Sequence, residues 1–262
     1  MNNIFKKGYI FLMFTFLYAP IIVLAFYSFN NSRSRGVWDG FTLRWYIEMF
    51  QDRHILTSLY YSLIIGCLSS LTATIIGTMA AFGINNMKLF PQAAAMNLTY
   101  LPVLNPDIVT GISFMLLFIF IQLPLGFFTL LLSHITFNIP YVILSVLPRI
   151  RQLDQSIYEA ALDLGATPQQ AFWKVVFPEI LPGVITGLLL AFTLSLDDFV
   201  ISFFNTGSGV STLSITIYSM ARRGINPKIN ALSTLMFICV LILLTIVNIM
   251  MAREQKEKIK EE

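Results

Sequence analysis

Residues 156–178 read SIYEAALDLGATPQQAFWKVVFP, a polar stretch that separates two long apolar ones. Ser156 and Glu159 match a capping box, in which a hydroxyl and a carboxylate each accept an exposed backbone N–H at the start of a helix. Gly165 is the residue type best suited to the left-handed conformation that ends a helix. The first half of the stretch therefore predicts a short helix that begins at Ser156 and ends at Gly165.

The second half of the stretch repeats the start signal, with Thr167 as cap, Pro168 at the first helical position and Gln170 three residues after the cap. We expect Pro178 and Pro182 to end this second helix before the next apolar segment. Its apolar residues share one face: Ala171, Phe172, Val175 and Val176. The pattern predicts a helix–turn–helix on the membrane surface, inside a cytoplasmic loop over 149–180. A plain interfacial connector is the alternative reading.

Composition makes the rest of the chain a membrane protein, because 56% of its 262 residues are apolar and 12% are charged. The charged fraction is about half that of a soluble domain. Several long stretches contain no Asp, Glu, Lys or Arg, and a bilayer core needs about 20 such residues per helix. We therefore expect an all-α polytopic protein with six transmembrane helices, near 8–29, 57–82, 93–121, 127–147, 181–204 and 231–251.

The first span follows Lys6 and Lys7 and is too long for a signal-peptide core, so we interpret it as a retained helix. An even number of spans places both termini on one side, which is the cytoplasm if the lysine pair lies inside. The positive charges are spread over short loops, which disfavours nucleic-acid binding. Cys67 and Cys239 fit no metal or disulfide spacing, and the sequence indicates no cofactor.

The polar stretch also resembles a known motif. Glu159-Ala160-Ala161, then Gly165, then the aliphatic positions before Pro178 resemble the EAA loop of the inner-membrane subunits of bacterial binding-protein-dependent ABC importers. The resemblance implies a type I ABC importer permease fold, in which this loop is a coupling helix inserted in a groove of a cytoplasmic ATPase dimer. Small residues at the contact and an apolar second helix suit that helix-in-groove mode of recognition.

The chain itself lacks the Gly-x-x-x-x-Gly-Lys-Ser/Thr sequence that cradles nucleotide phosphates. The ATPase is therefore expected to be another polypeptide, and this chain a transport subunit without catalytic residues. An intramembrane enzyme is the rival from another class. His54 and His134 stand far from any nucleophile or metal-ligand pattern in the sequence, which disfavours it.

Three acidic residues lie inside the predicted spans, where each costs roughly 2.5–3.5 kcal/mol at mid-helix. Asp107 follows Pro102 and Pro106, which should break or kink the third span, and Asp197 and Asp198 lie toward the outer end of the fifth. No Lys or Arg lies within the spans to neutralise them, so they predict a negatively charged passage for a cation. The alternative is that Asp107 caps a helix and that the other two pair with a basic residue of a neighbouring subunit.

Further pathway candidates are Ser195, just before the paired acids, and Trp45 and Tyr46, whose ring faces could contact an ammonium group. For the two aromatic residues, membership of an interfacial aromatic belt is an equal alternative. His134 lies in the middle of the fourth span and invites a proton-relay role. Helix packing is the reading that we prefer for it.

A closer resemblance extends from the first span to the last. It is carried by the runs Phe41-Thr-Leu-Arg-Trp-Tyr46, Pro106-Asp-Ile-Val109, Ser133-His-Ile-Thr-Phe137, Ser195-Leu-Asp-Asp198 and Ile229-Asn-Ala-Leu232. These runs look like the PotC family, the permease subunits of spermidine/putrescine importers of the bacterial inner membrane. The resemblance implies a homologous PotB-like permease, a cytoplasmic ATP-binding dimer and a PotD-like polyamine-binding protein, periplasmic or lipid-anchored, as partners.

Two other transport readings stay open at this point. An ABC importer for another solute, such as ferric iron or sulfate, would carry the same loop, although buried acids argue against an anion. A secondary transporter driven by an ion gradient would also place acids in broken helices. The hypothesis of a secondary transporter does not explain the coupling loop.

Overall fold

A computed structural model of the chain describes residues 3–32, 37–223, 227–242 and 245. Within these residues regular structure is helical, apart from one isolated antiparallel bridge between Asn30 and Phe41. The helices are α1 (Asn3–Tyr27), α2 (Arg44–Gln51), α3 (Arg53–Asn85), α4 (Leu89–Leu104), α5 (Asp107–Phe120), α6 (Phe127–Gln152), α7 (Gln155–Asp163), α8 (Pro168–Ala171), a π-helical segment (Phe172–Val176), α9 (Phe177–Asp197), α10 (Val200–Asn205), α11 (Leu213–Arg223) and α12 (Pro227–Ile242).

In the part of the chain that the structure describes, four helices are long and apolar enough to cross a membrane: Lys6–Tyr27, Arg53–Asn85, Phe127–Gln152 and Pro168–Asp197. They overlap the first, second, fourth and fifth predicted spans. The bent pair α4 and α5 overlaps the third, and counts as a fifth crossing if both halves form one span. Helix α12 overlaps the sixth prediction, and the remainder of that predicted span, except residue 245, lies outside the described residues.

The third span is broken where the prolines indicate. Helix α4 ends at Leu104, and α5 begins at Asp107 at an angle of 104° to it. Pro106 has no N–H to donate, and it disfavours helical dihedrals at the preceding residue, so Asn105 is extended with ψ 144°. Pro102 lies inside α4, so the break belongs to Pro106 alone.

The start of α7 differs from the prediction by one residue and by its cap. Helix α7 begins at Gln155, and Asp154 is the N-cap, with the Ser156 N–H donating to its Oδ1 at 2.9 Å. An Asp one residue before the first helical position caps as well as a Ser does, so it displaces the predicted Ser156 cap. The same hydrogen bond holds the pKa of the Asp154 carboxyl below its usual value.

The turn and the second start signal are confirmed. Gly165 has φ +86°, the left-handed conformation that ends a helix. Thr167 and Gln170 form a reciprocal capping box, with side-chain to backbone distances of 3.3 and 3.1 Å, and Pro168 is the first residue of α8. These features are local in sequence, so the sequence is enough to place them.

The expected stop at Pro178 and Pro182 is wrong. One helical segment of 30 residues runs from Pro168 to Asp197, with the π-helical segment inside it. The Phe177 N–H donates to the Phe172 carbonyl, five residues back. This wider turn changes the hydrogen-bond spacing next to Pro178, so the missing proline N–H does not end the helix. The predicted fifth span and the second helix of the predicted coupling loop therefore form one continuous helix.

The chain divides into two compact units, the first of residues 1–56 with 217–262 and the second of residues 57–216. In the second unit α6 packs along α9. A Cβ added at Gly183 would lie 2.7 Å from Arg149 Cγ and 3.1 Å from the Ser145 carbonyl oxygen. Helices in membranes associate through such small residues, which let two backbones approach closely. The buried core there is Ala73, Ala81, Ile84, Val142, Ile143, Val146, Leu147, Ile150, Ile180 and Ala191.

Two glycines of α3 provide a matched test of the packing of α3 against α6. A Cβ at Gly77 would lie 2.7 Å from Val142 Cβ, whereas a Cβ at Gly83 meets nothing within 4 Å. Gly77→Ala should therefore destabilise the subunit by about 1–3 kcal/mol through overpacking. Gly83→Ala should be neutral or stabilising, by up to about 1 kcal/mol, because alanine favours the helix. Thermal inactivation of the two purified variants measures this, and equal midpoints would contradict the packing.

Candidate functional site

The five motif residues of the predicted coupling loop lie on the surface of the second unit. Four of them are exposed, namely Glu159, Ala160, Gly165 and Pro178, and the fifth, Ala161, is half-buried. A Cβ at Gly165 would meet nothing within 4 Å. Within this subunit, glycine is therefore favoured at this position by the positive φ and not by a lack of space. The predicted docking residues are thus available to a partner.

An open cavity of about 770 Å³ lies beside α7, between this helix, the ends of α3 and α6, and the π-helical segment. Its lining includes Asn85, Arg151, Glu159 and Glu179. The side of α7 that carries Glu159 therefore faces open space and not a packed helix. The sequence patterns give no indication of this cavity.

Two of the three span acids are exposed. Asp107 is the first residue of α5, and Asp197 is the last residue of α9. Among the described residues no hydrogen bond or ion pair engages either carboxylate. The alternative that Asp107 serves as a helix cap is not met, because Pro106 occupies the N-cap and no side chain caps this helix.

The helix that follows Asp107 lies against the helix that follows the paired acids. Helices α5 and α10 are in contact, and the Asn205 Nδ2 donates to the Gly111 carbonyl at 3.1 Å. A Cβ at Gly111 would lie 3.4 Å from the backbone of Ile201, so the two helices approach closely. The two helix breaks therefore belong to one region of the second unit.

Asp198 has a buried side chain, whereas its neighbour Asp197 is exposed, although both were predicted to line the pathway. The Asp198 side chain is 7% exposed. The carboxylate accepts the Ile201 N–H at 3.0 Å and the Ser202 N–H at 2.7 Å, which caps the start of α10. Capping satisfies two backbone donors that have no partner within a helix. Asp198 therefore belongs to the structure of the break.

His134 is not isolated, and its partners could not be found from sequence motifs. The imidazole is fully buried, with Nδ1 2.6 Å from Ser195 Oγ and Nε2 3.0 Å from Ser202 Oγ and 3.5 Å from an Asp198 carboxylate oxygen. Ser195 is 4% exposed and also lies 3.0 Å from Ser69 Oγ. Ser195, predicted as a pathway residue, is therefore enclosed in a polar cluster.

Tyr141 is a pathway candidate that sequence reasoning missed. It lies on α6, half-buried, and its phenol interacts electrostatically with Asp107. Its ring centroid is 5.3 Å from that of Phe137. The face of an aromatic ring is a favourable surface for an ammonium group. Only its position in the fold, and no sequence motif, distinguishes it from the other tyrosines.

Trp45 and Tyr46 belong to the first unit. Trp45 is 2% exposed, and its Nε1 donates to the Asn30 carbonyl at 2.7 Å. The Arg44 guanidinium already lies 5.4 Å from the Trp45 ring centroid. The predicted use of this ring by a passing cation is therefore not supported. Tyr46 is half-buried and its hydroxyl is 2.7 Å from Ser28 Oγ.

The chain belongs to the family of binding-protein-dependent transport system inner membrane components, whose profile matches residues 73–256. It is a permease subunit of an ABC transporter and not an enzyme. It is 42% identical to the putrescine transport system permease protein PotI of Escherichia coli K12 over 256 residues, 95% of this chain and 91% of that one. It is also 35% identical to the spermidine/putrescine permease PotC of the same strain over 243 residues, 93% and 92% of the two chains.

Solved structures agree on the fold. A bacterial ABC transporter for the acidic polysaccharide alginate matches with a TM-score of 0.71 at 18% identity, over 95% of each chain. An amino acid ABC transporter matches with a TM-score of 0.61 at 15% identity, over 81% of this chain and 99% of the other. The expected ABC importer permease fold is confirmed.

Proposed function

We propose that the chain forms half of the translocation pathway of a polyamine importer, driven by ATP hydrolysis in a separate subunit. The observation that carries this is the pair of exposed carboxylates, Asp107 and Asp197, at two neighbouring helix breaks. The spans predicted there, 93–121 and 181–204, contain no Lys or Arg. The similarity to PotI and PotC, which are permeases for putrescine and for spermidine/putrescine, supports it.

The chemistry suits a flexible cation with several ammonium groups. Carboxylates without a protein counter-ion attract a cation strongly where water is scarce. In this proposal one ammonium contacts Asp107, with the ring of Tyr141 as a further partner, and another ammonium contacts Asp197. An anion, in contrast, would meet uncompensated repulsion at both breaks.

The coupling residues Glu159, Ala160, Ala161, Gly165 and Pro178 are proposed to dock onto a cytoplasmic ATP-binding dimer. ATP is cytoplasmic, so a loop that docks onto the ATPase would lie on the cytoplasmic side of the inner membrane. Six spans would then place both termini in the cytoplasm. A homologous PotB-like permease would complete the pathway, and a periplasmic or lipid-anchored PotD-like protein would deliver the polyamine.

The test is ATPase activity of the reconstituted complex, with its binding protein, against putrescine, spermidine, ferric iron and sulfate. We expect the two polyamines to stimulate hydrolysis and the other two solutes to leave it at the basal rate. Uptake of labelled polyamine into proteoliposomes should depend on added ATP and not on an ion gradient. Stimulation by iron or sulfate alone would reject the polyamine assignment, and uptake driven by a gradient would favour a secondary transporter.

A further inference from the structure

His134 bridges the two sides of the break in the fifth span. Ser195 lies in α9, before the break, and is 2.6 Å from Nδ1. Ser202 lies in α10, after the break, and is 3.0 Å from Nε2. The imidazole therefore holds both helix ends from a third helix, α6, which is 61 and 68 residues away in sequence from these two partners.

The backbone of the break is fixed by the same cluster. Asp198 is extended, with ψ 124°, and its carboxylate caps α10 while lying 3.5 Å from His134 Nε2. Ser214 Oγ donates to the Asp198 carbonyl at 2.6 Å. The carbonyl and carboxylate of the residue that interrupts the helix are thus both engaged. Leaving such groups unpaired in an apolar interior would cost several kcal/mol.

The cluster is also attached to α3. Ser69 Oγ is 3.0 Å from Ser195 Oγ and receives a long hydrogen bond of 3.5 Å from Asn138 Nδ2. Polar contacts of this kind between membrane helices average only about 0.6 kcal/mol, so simple adhesion between helices does not require an imidazole at this place. His134 differs from an ordinary helix contact because it bonds residues on both sides of a helix break. The last residue before that break, Asp197, is exposed.

We infer that His134 is a positioning residue, which with Asp198 holds the α9–α10 break so that the Asp197 carboxylate projects into the translocation pathway. His134 and Asp198 do not contact the substrate in this arrangement. The importance of Asp197 for transport rests on the proposed function, whereas its position can be measured without any substrate.

The position is measured by thiol labelling in the assembled complex in membrane vesicles. Asp197→Cys is introduced after the native Cys67 and Cys239 are replaced by Ser, and its reaction with the water-soluble cation 2-aminoethyl methanethiosulfonate is timed. We expect His134→Leu to slow this labelling at least about fivefold, because a break that is no longer held lets residue 197 leave its exposed position. Labelling of Asp107→Cys, at the other break, should change less than about twofold.

Two further variants separate positioning from general damage. His134→Gln places an amide nitrogen where Nε2 stands, so it should restore Asp197→Cys labelling to within about threefold of the parental rate. Ser133→Ala removes a fully buried hydroxyl that donates only within α6, at 2.8 Å to Thr129, and should leave labelling unchanged. An equal slowing at positions 107 and 197, or no slowing by His134→Leu, overturns the inference.

A double-mutant cycle on polyamine uptake tests whether His134 acts on transport through Asp197. If His134 acts through Asp197, uptake by His134→Leu with Asp197→Asn should be no lower than that of the worse single variant, within about twofold. Independent residues would instead multiply their losses, and that result contradicts the inference. A parental complex that transports no polyamine would reject the proposed function, while the labelling result would still decide the position of residue 197.

Discussion

Asp107→Asn and Asp197→Asn should each lower polyamine uptake at least about tenfold in correctly inserted complexes. A tenfold loss needs only about 1.4 kcal/mol of transition-state stabilisation. Two unit charges 4 Å apart attract by about 4 kcal/mol at an effective dielectric constant of 20, so a partly hydrated contact is sufficient. The amide keeps the size of the side chain and removes only the charge. The measurement is ATP-dependent uptake of labelled putrescine and spermidine.

Asp39→Asn is the matched control, because Asp39 is an exposed acid outside the spans. It should transport at the parental rate. Asp107→Glu and Asp197→Glu, which retain the charge, should keep more uptake than the amides. Normal transport by both amide variants would show that no acidic passage exists.

Tyr141 provides a separate test. If its ring contacts the ammonium group, Tyr141→Phe should keep the parental rate of polyamine uptake and Tyr141→Leu should not.

Gly165→Leu should separate ATP hydrolysis from transport, with uptake reduced at least about tenfold while the partner ATPase continues to hydrolyse ATP. A residue with a Cβ at φ +86° is strained by roughly 1–2 kcal/mol. A leucine there would relieve that strain by moving the α7–α8 turn, and its side chain would project from the exposed surface proposed to enter the ATPase groove. Paired assays of hydrolysis and uptake in proteoliposomes measure the separation.

A graded series identifies the cause of the effect at this turn. Asn tolerates the left-handed conformation better than Ala, so uptake should fall in the order Gly165, Asn, Ala, Leu. Gly40 supplies the control, since it has φ +91° and open space around it but lies outside the coupling loop. Gly40→Ala should therefore retain coupling. A Gly165→Leu complex with normal uptake would refute the coupling role.

The sequence predicted those features of the site that depend on neighbouring residues. Pro102 and Pro106 predicted a break in the third span, and the break lies at Pro106. Thr167 with Gln170 places the start of α8. Each of these signals acts within four residues. Two local signals were ambiguous. Ser156 was predicted to cap α7, whose cap is Asp154, and Pro178 was expected to stop a helix that a π-helical turn lets continue. In both cases two local conformations of similar free energy compete, and the neighbouring residues alone do not indicate which one forms.

The remaining errors come from contacts between distant parts of the chain. His134 looked isolated because Ser195 and Ser202 are more than 60 residues away. The paired acids Asp197 and Asp198 looked equivalent, and only the cap on α10 turns one inward and leaves the other exposed. A single sequence provides no measure of such packing, so the roles of these residues required the fold.

The uninterrupted helix from Pro168 to Asp197 has a mechanical consequence. Its 30 residues form a lever about 45 Å long, with the proposed ATPase contact at one end and the exposed Asp197 at the other. A tilt of about 5° about the coupling end would displace Asp197 by about 4 Å, roughly the length of an ion pair. A small tilt of this helix at the ATPase would thus bring Asp197 into contact with a cation or withdraw it, without a hinge between the two ends.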